Sequence, residues 1–238
     1  MNAGRRLVTI DGPAGVGKTT VGRALAQRLG LPLIDTGLFY RALTVAAARR
    51  GLGREVPERL VQLARELPLE VNVDPRADPA GWQARAGGEA LGQELWDPGI
   101  AGLLAFVASR PEVRQVLLEA QRRPADGGAV AVGRDTGTVV FPEAPCKVYL
   151  EAPLAVRLER RRGELTRRGM DDSATALRAD VIARDQTDLT RVSAPLAPAP
   201  GALVVETEGL SAAEVVDLVL AECRRLGLDS PAGPAQGD

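Results

Sequence analysis

The stretch Gly12-Pro13-Ala14-Gly15-Val16-Gly17-Lys18-Thr19-Thr20 constrains this chain more than any other. It has the form G-x-x-x-x-G-K-[ST]. In that pattern glycines let successive backbone N–H groups turn toward one point, and the helix that follows aims its positive dipole end there. Lys18 adds a mobile positive charge for outer phosphates, and Thr19 supplies a hydroxyl of the kind magnesium accepts. The flanks agree. Leu7-Val8-Thr9-Ile10-Asp11 is a short apolar, β-prone run that suits a buried strand. Val21, Leu25 and Leu29 then recur at helical spacing, and Gly30 followed by Pro32 marks a stop. A tight turn that merely happens to hold Gly and Lys needs no such order of strand, loop and helix. Lysine is also scarce: Lys147 is the only other one.

Composition narrows the chemistry. A chain of 238 residues, 45% of them apolar, fits one large domain or a core with an insertion. A net charge of −1 gives no general case for nucleic-acid or membrane binding, and an aromatic fraction of 3% offers few platforms for base stacking. Cys146 and Cys223 stand in no metal or redox spacing and read as small buried residues of a reducing, cytoplasmic compartment. The absence of histidine excludes Ser-His-Asp and Cys-His catalysis and histidine metal ligation. Phosphoryl transfer loses little by this, since its catalysis is mostly positioning and charge neutralisation. Residues 1–6 carry two arginines with no long apolar segment after them, so neither signal peptide nor membrane span is expected.

Taken in order, residues 32–35 form a second strand ending at Asp35, and Asp35-Thr36-Gly37-Leu38-Phe39-Tyr40-Arg41 opens a helix running to about Arg50. In a parallel sheet this helix start lies on the same edge as the phosphate loop. Thr36, Tyr40 and Arg41 are therefore expected to face the phosphate donor or acceptor. Between about 51 and 99 the pattern changes to a helix over 58–67, a strand over 69–73, a Pro/Gly-rich passage and a possible strand over 82–86. This reads as a small inserted unit of short strands. Helical spacing returns from 100 to 123, broken near Pro111, with Arg114 on the second piece. Ala129-Val130-Ala131-Val132 is a buried strand running into Gly133-Arg134-Asp135-Thr136-Gly137, and residues 146–150 form another. An arginine-rich helix follows over 153–168, with Arg157, Arg160, Arg161, Arg162, Arg167 and Arg168. On charge pattern alone such a run is a solvated face. A helix over 174–189 brings Arg184, Asp188 and Arg191 toward one face. Residues 202–205 make a fifth strand, Ser211 and Glu214 a capping box for a last helix, and 229–238 an expected disordered tail.

Four stretches in this order resemble the bacterial cytidylate kinases. They are the phosphate loop, Asp35-Thr36-Gly37-x-x-Tyr40-Arg41, residues 133–142 and Arg184-Asp185-Gln186-Thr187-Asp188-Leu189-Thr190-Arg191. The resemblance runs from about residue 7 to 226. It implies an α/β P-loop fold with a five-stranded parallel sheet (core about 5–41, 100–156 and 194–227). It adds a monophosphate-binding insertion of about 42–99 and a lid of about 157–193. The implied reaction transfers the γ-phosphate of ATP to CMP or dCMP, with Mg²⁺, in a monomer that binds neither nucleic acid nor membrane. By resemblance, Lys18 and the loop from Gly12 to Thr20 hold ATP, with Thr19 on the metal and Arg157 and Arg161 on the ATP side of the lid. Arg41, Arg134 and Arg191 hold the acceptor phosphate, Arg114 and Asp135 read cytosine, Asp188 holds the sugar, and Arg184 bridges toward the transferring phosphate. The chain departs from the family at Val132 (commonly Asp), Ala105 (Ser), Trp96 (Arg), and Thr187 and Leu189 (Arg). These changes bear on base discrimination and affinity more than on reaction type.

Other readings fit less well. A shikimate-type kinase needs a second carboxylate just after Asp35, where Thr36-Gly37 stand. An adenylate-type kinase lacks the 133–142 stretch in this form. A GTP-binding switch needs an Asn/Thr-Lys-x-Asp motif, and neither lysine provides one. A P-loop kinase with a different small acceptor (UMP, AMP or a shikimate-like compound) and a regulatory nucleotide-binding protein remain the alternatives.

Overall fold

In the computed structural model, residues 6–77, 81–167, 173–191 and 194–228 are described. The centre is β1, Leu7–Asp11, which lies between β6, Ala129–Val132, and β7, Cys146–Glu151, parallel to both. All five residues of β1 and all four of β6 are buried. Such strands carry apolar side chains on both faces because helices cover both faces. Val8, Ile10, Val130 and Val132 pack under α1 (Lys18–Leu29) and α8 (Ala212–Arg225). The alternate residues Leu7, Ala129 and Ala131 point the other way, toward α2 (Thr36–Arg49), α3 (Pro57–Glu66) and α5 (Pro111–Arg122). Phe39 and Leu43 of α2 and Leu60 of α3 are almost wholly enclosed there.

The remaining strands are β2 (Leu33–Asp35), β3 (Leu69–Val73), β4 (Trp82–Ala86), β5 (Glu89–Leu91) and β8 (Leu203–Glu206). Together the described strands form one sheet in the order β5-β4-β3-β2-β6-β1-β7-β8. The five from β2 to β8 are parallel, as expected. The sheet is nevertheless eight-stranded and mixed rather than five-stranded and parallel. β3 joins β2 antiparallel through Leu33 and Val73, and β4 and β5 continue it as hairpins. Strands over 69–73 and 82–86 are expected from the sequence, but as a separate insertion, and 89–91 is missed because those residues lack apolar alternation. Side-chain pattern also carries no sign that a hairpin unit will hydrogen-bond to the edge of β2.

The parallel register sets β1, β2 and β6 ending side by side: Asp35 lies opposite Val132, and Val132 opposite Ile10. The loops leaving these ends therefore open at one edge, the usual ligand crevice of such sheets. Over that edge lie α6 (Leu154–Arg167) and α7 (Ala174–Thr190), whose Leu165, Leu177 and Val181 bury Ala14 of the phosphate loop. α4, Ala101–Ser109, contacts both α2 and α7. The expected tail over 229–238 and Arg168 lie outside the described residues. Among the described residues no helix is long and apolar enough to cross a membrane.

Candidate active site

The loop after β1 has the backbone its sequence calls for. Gly15 and Gly17 take φ of +76° and +103°, conformations costly for residues with a side chain. A Cβ on Gly15 would lie 2.6 Å from the carbonyl oxygen of Arg157, so α6 packs directly on the loop. Lys18 opens α1 and is buried, its Nζ donating to the Pro13 carbonyl at 2.6 Å. Burial, reinforced by the positive charge of Arg134, holds its ammonium well below the ordinary lysine range. A desolvated cation of this kind gains most from an incoming anion. Thr19 and Thr20 are exposed at the helix start.

Asp35 ends β2 and caps α2, accepting from the Gly37 N–H at 3.0 Å. Its second carboxylate oxygen lies 3.5 Å from the Thr19 hydroxyl. Burial raises the Asp35 carboxyl, and the Gly37 N–H and the charges of Arg41, Arg134 and Lys18 act against that rise. A hydroxyl and a carboxylate at this spacing are hard oxygen donors of the type Mg²⁺ takes.

The turn after β6 is anchored from an unexpected quarter. Asp11, buried at the end of β1, accepts from the N–H and hydroxyl of Thr136 at 2.8 Å each and from the Gly137 N–H at 2.7 Å. That fixes Arg134 and Asp135 above the crevice. Asp135 is ion-paired with Arg114 of α5, both side chains only 7% exposed. The Arg114 guanidinium stacks 5.4 Å over the ring of Tyr40, whose phenol burial pushes up to about 12. Arg134 Nε donates to Asp188 at 2.8 Å, joining the turn to α7. Arg191, at the C-cap of α7, donates from Nη1 to Asp188 at 3.1 Å. Its Nη2 is buried, 4.0 Å from Asp135, and among the described residues it has no hydrogen-bond acceptor. Burial and the like charge of Arg114 lower the Arg191 guanidinium's pKa. Because Asp135 and Asp188 are already paired with Arg114 and Arg134, this desolvated cationic donor can take a bound oxyanion.

Some expected site residues sit differently. The Thr36 hydroxyl donates to the Val132 carbonyl at 3.0 Å and ties the start of α2 to the end of β6 rather than facing the crevice. Arg41 donates to the Leu95 carbonyl at 2.7 Å and lies 4.6 Å over the ring of Trp96. Arg184 pairs with Asp180 at 3.0 Å and Arg161 with Glu164 at 2.7 Å, both along their own helices. Among the described arginines of α6, the solvated-face reading holds for exposed Arg162 and Arg167 only. Arg157 is buried, and its guanidinium bonds Ala152, Ala14 and Asp185. Arg160 reaches the Val16 carbonyl at 3.0 Å and both the hydroxyl and carbonyl of Thr207 at 2.7 Å.

Sequence reasoning missed Asp11, Asp185 and Arg160. For Asp11 one signal existed: a charged residue closing a buried strand must find partners. Asp185 lies inside the 184–191 stretch, but helical spacing gave it no partner there.

The cytidylate kinase family model matches residues 8–225. The bifunctional pantoate ligase/cytidylate kinase of Synechococcus sp. (strain JA-3-3Ab) is 43% identical over 225 residues, covering 94% of this chain. The chain spans 42% of that relative's length. The cytidylate kinase of Methylococcus capsulatus (strain ATCC 33009 / NCIMB 11132 / Bath) is 43% identical, with 90% of this chain and 95% of that protein covered. That of Shewanella loihica (strain ATCC BAA-1088 / PV-4) is 39% identical, with 92% and 94% covered. A family match over most of the residues, with relatives of this identity along almost their whole length, places the chain in the cytidylate kinase family.

Proposed function

We propose that this protein transfers the γ-phosphoryl group of ATP to CMP or dCMP, giving ADP and CDP or dCDP. The observation that carries the reading is the Arg191 Nη2 group, buried beside Asp135 and without a hydrogen-bond acceptor among the described residues, in a guanidinium whose Nη1 is paired with Asp188. It is the donor a monophosphate oxygen satisfies. Arginine suits this role because it stays charged and binds phosphate through a fork of donors.

The division of labour follows from chemistry. The loop from Gly12 to Thr20 and Lys18 cradle the donor phosphates, with Arg157 and Arg161 on the ATP side of the lid. Thr19 and Asp35 fit a Mg²⁺ ion, which when bound supplies positive charge against the phosphate oxygens. Asp135 accepts the exocyclic amine of cytosine, Arg114 donates to its N3 and O2, and Asp188 holds the sugar. Arg134 and Arg191 take the acceptor phosphate, Arg41 joins them on leaving the Leu95 carbonyl, Arg184 reaches the transferring group on leaving Asp180, and Thr36 and Tyr40 support the pocket from beneath. The attacking phosphate oxygen is already ionised at neutral pH, so no general base is needed, in keeping with a chain without histidine. The arginines and Lys18 neutralise negative charge spread over the transferring oxygens, and the two lid helices keep water out.

In this reading a core carries an acceptor-binding insertion of about 42–99 and a lid of about 157–193. The enzyme is a cytoplasmic monomer of pyrimidine nucleotide metabolism acting on free nucleotides, and it binds neither nucleic acid nor membrane. The test is initial ADP production with ATP and Mg²⁺ against CMP, dCMP, UMP, AMP, GMP and shikimate, with Asp135→Asn alongside. Turnover with CMP and dCMP alone, largely lost in the variant, supports the assignment. Equal rates with UMP mean that Val132 and Ala105 leave the base pocket relaxed. No turnover with any monophosphate sinks the reading.

A further inference from the structure

The phosphate loop is not held by its own strand and helix alone. The first N–H after Pro13, that of Ala14, donates at 3.1 Å to Asp185 Oδ1, a side chain of α7. The other oxygen of Asp185 accepts from Arg157 Nη1 at 2.5 Å, and that same nitrogen donates to the Ala14 carbonyl at 2.9 Å. Asp185, Arg157 and the Ala14 peptide thus close a ring joining α6, α7 and the loop. The ring is secluded, the Asp185 and Arg157 side chains being 15% and 10% exposed. The Ala14 methyl is buried beside Leu177 and Val181, and Gly15 leaves no space for a Cβ beneath Arg157. A carboxylate against a phosphate loop would repel phosphate if it were bare. Here the Arg157 cation sits on it, and it engages only the loop's first N–H.

We infer that Asp185 is a positioning residue: it pins α7 to the phosphate loop and thereby sets where Arg184, Asp188 and Arg191 stand over the reacting phosphates. As a statement about catalysis this rests on the kinase reading above. Arg184 precedes Asp185 directly, and Asp188 and Arg191 follow at one and two helical turns. Asp188 is held in turn by Arg134 from the turn after β6. α7 is therefore stitched to the donor side through Asp185 and to the acceptor side through Asp188. Loss of the donor-side stitch leaves the acceptor side attached, so binding of CMP survives while the phosphoryl groups are misaligned.

The experiment compares wild type, Asp185→Ala and Asp185→Asn by kcat, by KM for ATP and CMP, by thermal midpoint, and by hydrogen exchange of the nucleotide-free protein. Expected for Asp185→Ala is a kcat loss of about 100-fold with KM for CMP within about threefold. Faster exchange over residues 174–190 and 12–20 should accompany it, with exchange in the β1 and β6 strands unchanged. Asp185→Asn keeps an oxygen for the Ala14 N–H and recovers part of both kcat and protection. A kcat near wild type overturns the inference, as does a rise confined to KM for CMP, or a kcat loss with exchange unaltered. If the alanine variant does not fold, the same readouts on the asparagine variant decide. A wild-type protein inactive on CMP removes the kinase reading, whereas the exchange comparison still tells whether Asp185 pins the helix.

Discussion

Asp11 and Thr136, 125 residues apart, are joined by two hydrogen bonds of 2.8 Å, one from the Thr136 N–H and one from its hydroxyl, both to the same carboxylate oxygen. The strand that launches the phosphate loop thus also fixes the turn carrying Arg134 and Asp135. Asp11→Ala leaves the Thr136 and Gly137 N–H groups buried without acceptors, at about 1–3 kcal/mol each. Urea unfolding should register that loss. Burial raises the Asp11 carboxyl, against the lowering pull of the Gly137 and Thr136 N–H groups. The folded protein then binds this proton more tightly than the unfolded chain. The group's contribution to stability is fullest below the ordinary value of about 3.9 and is lost as pH rises through the folded value. Asp11→Asn should flatten that part of the pH–stability profile, and an unchanged profile counts against it.

Lys18 makes nucleotide binding proton-linked. Its ammonium is held low chiefly by burial, and the negative charge of a bound triphosphate restores it. Between the lowered value and the bound one, binding takes up protons, so affinity for ATP falls as pH rises through the bound-state value. Calorimetry in buffers of different ionisation enthalpy should register the uptake with wild type and not with Lys18→Met. Buffer-independent heats across the alkaline range would falsify the linkage.

The Arg114–Asp135 pair is buried on both sides. Removing one partner strands a charge, so Asp135→Leu or Arg114→Leu alone should cost about 3–5 kcal/mol. The double variant Arg114→Leu/Asp135→Leu should cost clearly less than the sum, because no charge is left behind. Additive losses in a double-mutant cycle would mean the two groups act independently.

At Gly15 the positive φ, and the Arg157 carbonyl oxygen 2.6 Å from where a Cβ would stand, make Gly15→Ala doubly unfavourable. The carbonyl is backbone and cannot rotate aside. The variant should separate α6 from the loop, weakening ATP binding by about tenfold or more, a loss of about 1.4 kcal/mol. Titration with ATP in the absence of CMP measures it directly, and wild-type affinity would refute the packing argument.

Cys146 of β7 and Cys223 of α8 face each other with sulfurs 3.8 Å apart, both fully enclosed. The contact with Cys223, followed by burial, pushes the Cys146 thiol up. Both should resist thiol reagents in the folded protein and react in denaturant. Rapid labelling of either under native conditions would contradict this burial. Cys146→Ser, which buries a hydroxyl in apolar surroundings, should cost about 1–3 kcal/mol.

What could be read from the residues was local. The phosphate loop declared itself because glycine spacing, strand and helix all fall within residues 7–29. The parallel strands and most helices were legible for the same reason: apolar period and capping residues act over a turn or two. Strand β5 was not, since Glu89-Ala90-Leu91 has no alternation to detect. The continuation of the sheet through β3 depends on backbone bonds to a strand more than thirty residues upstream.

The sequence by itself determined which chemistry is available: a phosphate cradle, many arginines, no histidine. Only the tertiary structure decided which arginine does what. Arg41 turns to Leu95 and Trp96, Arg157 and Arg160 fasten the loop, and Arg191 keeps a buried donor without an acceptor among the described residues. The reason is physical. An arginine's role is set by which acceptors lie within hydrogen-bond reach, and those acceptors, Asp185 for Arg157 and Asp188 for Arg134, come from distant parts of the chain. Asp11 shows it most plainly, as a strand-end carboxylate whose partners exist only once β1 and β6 pair.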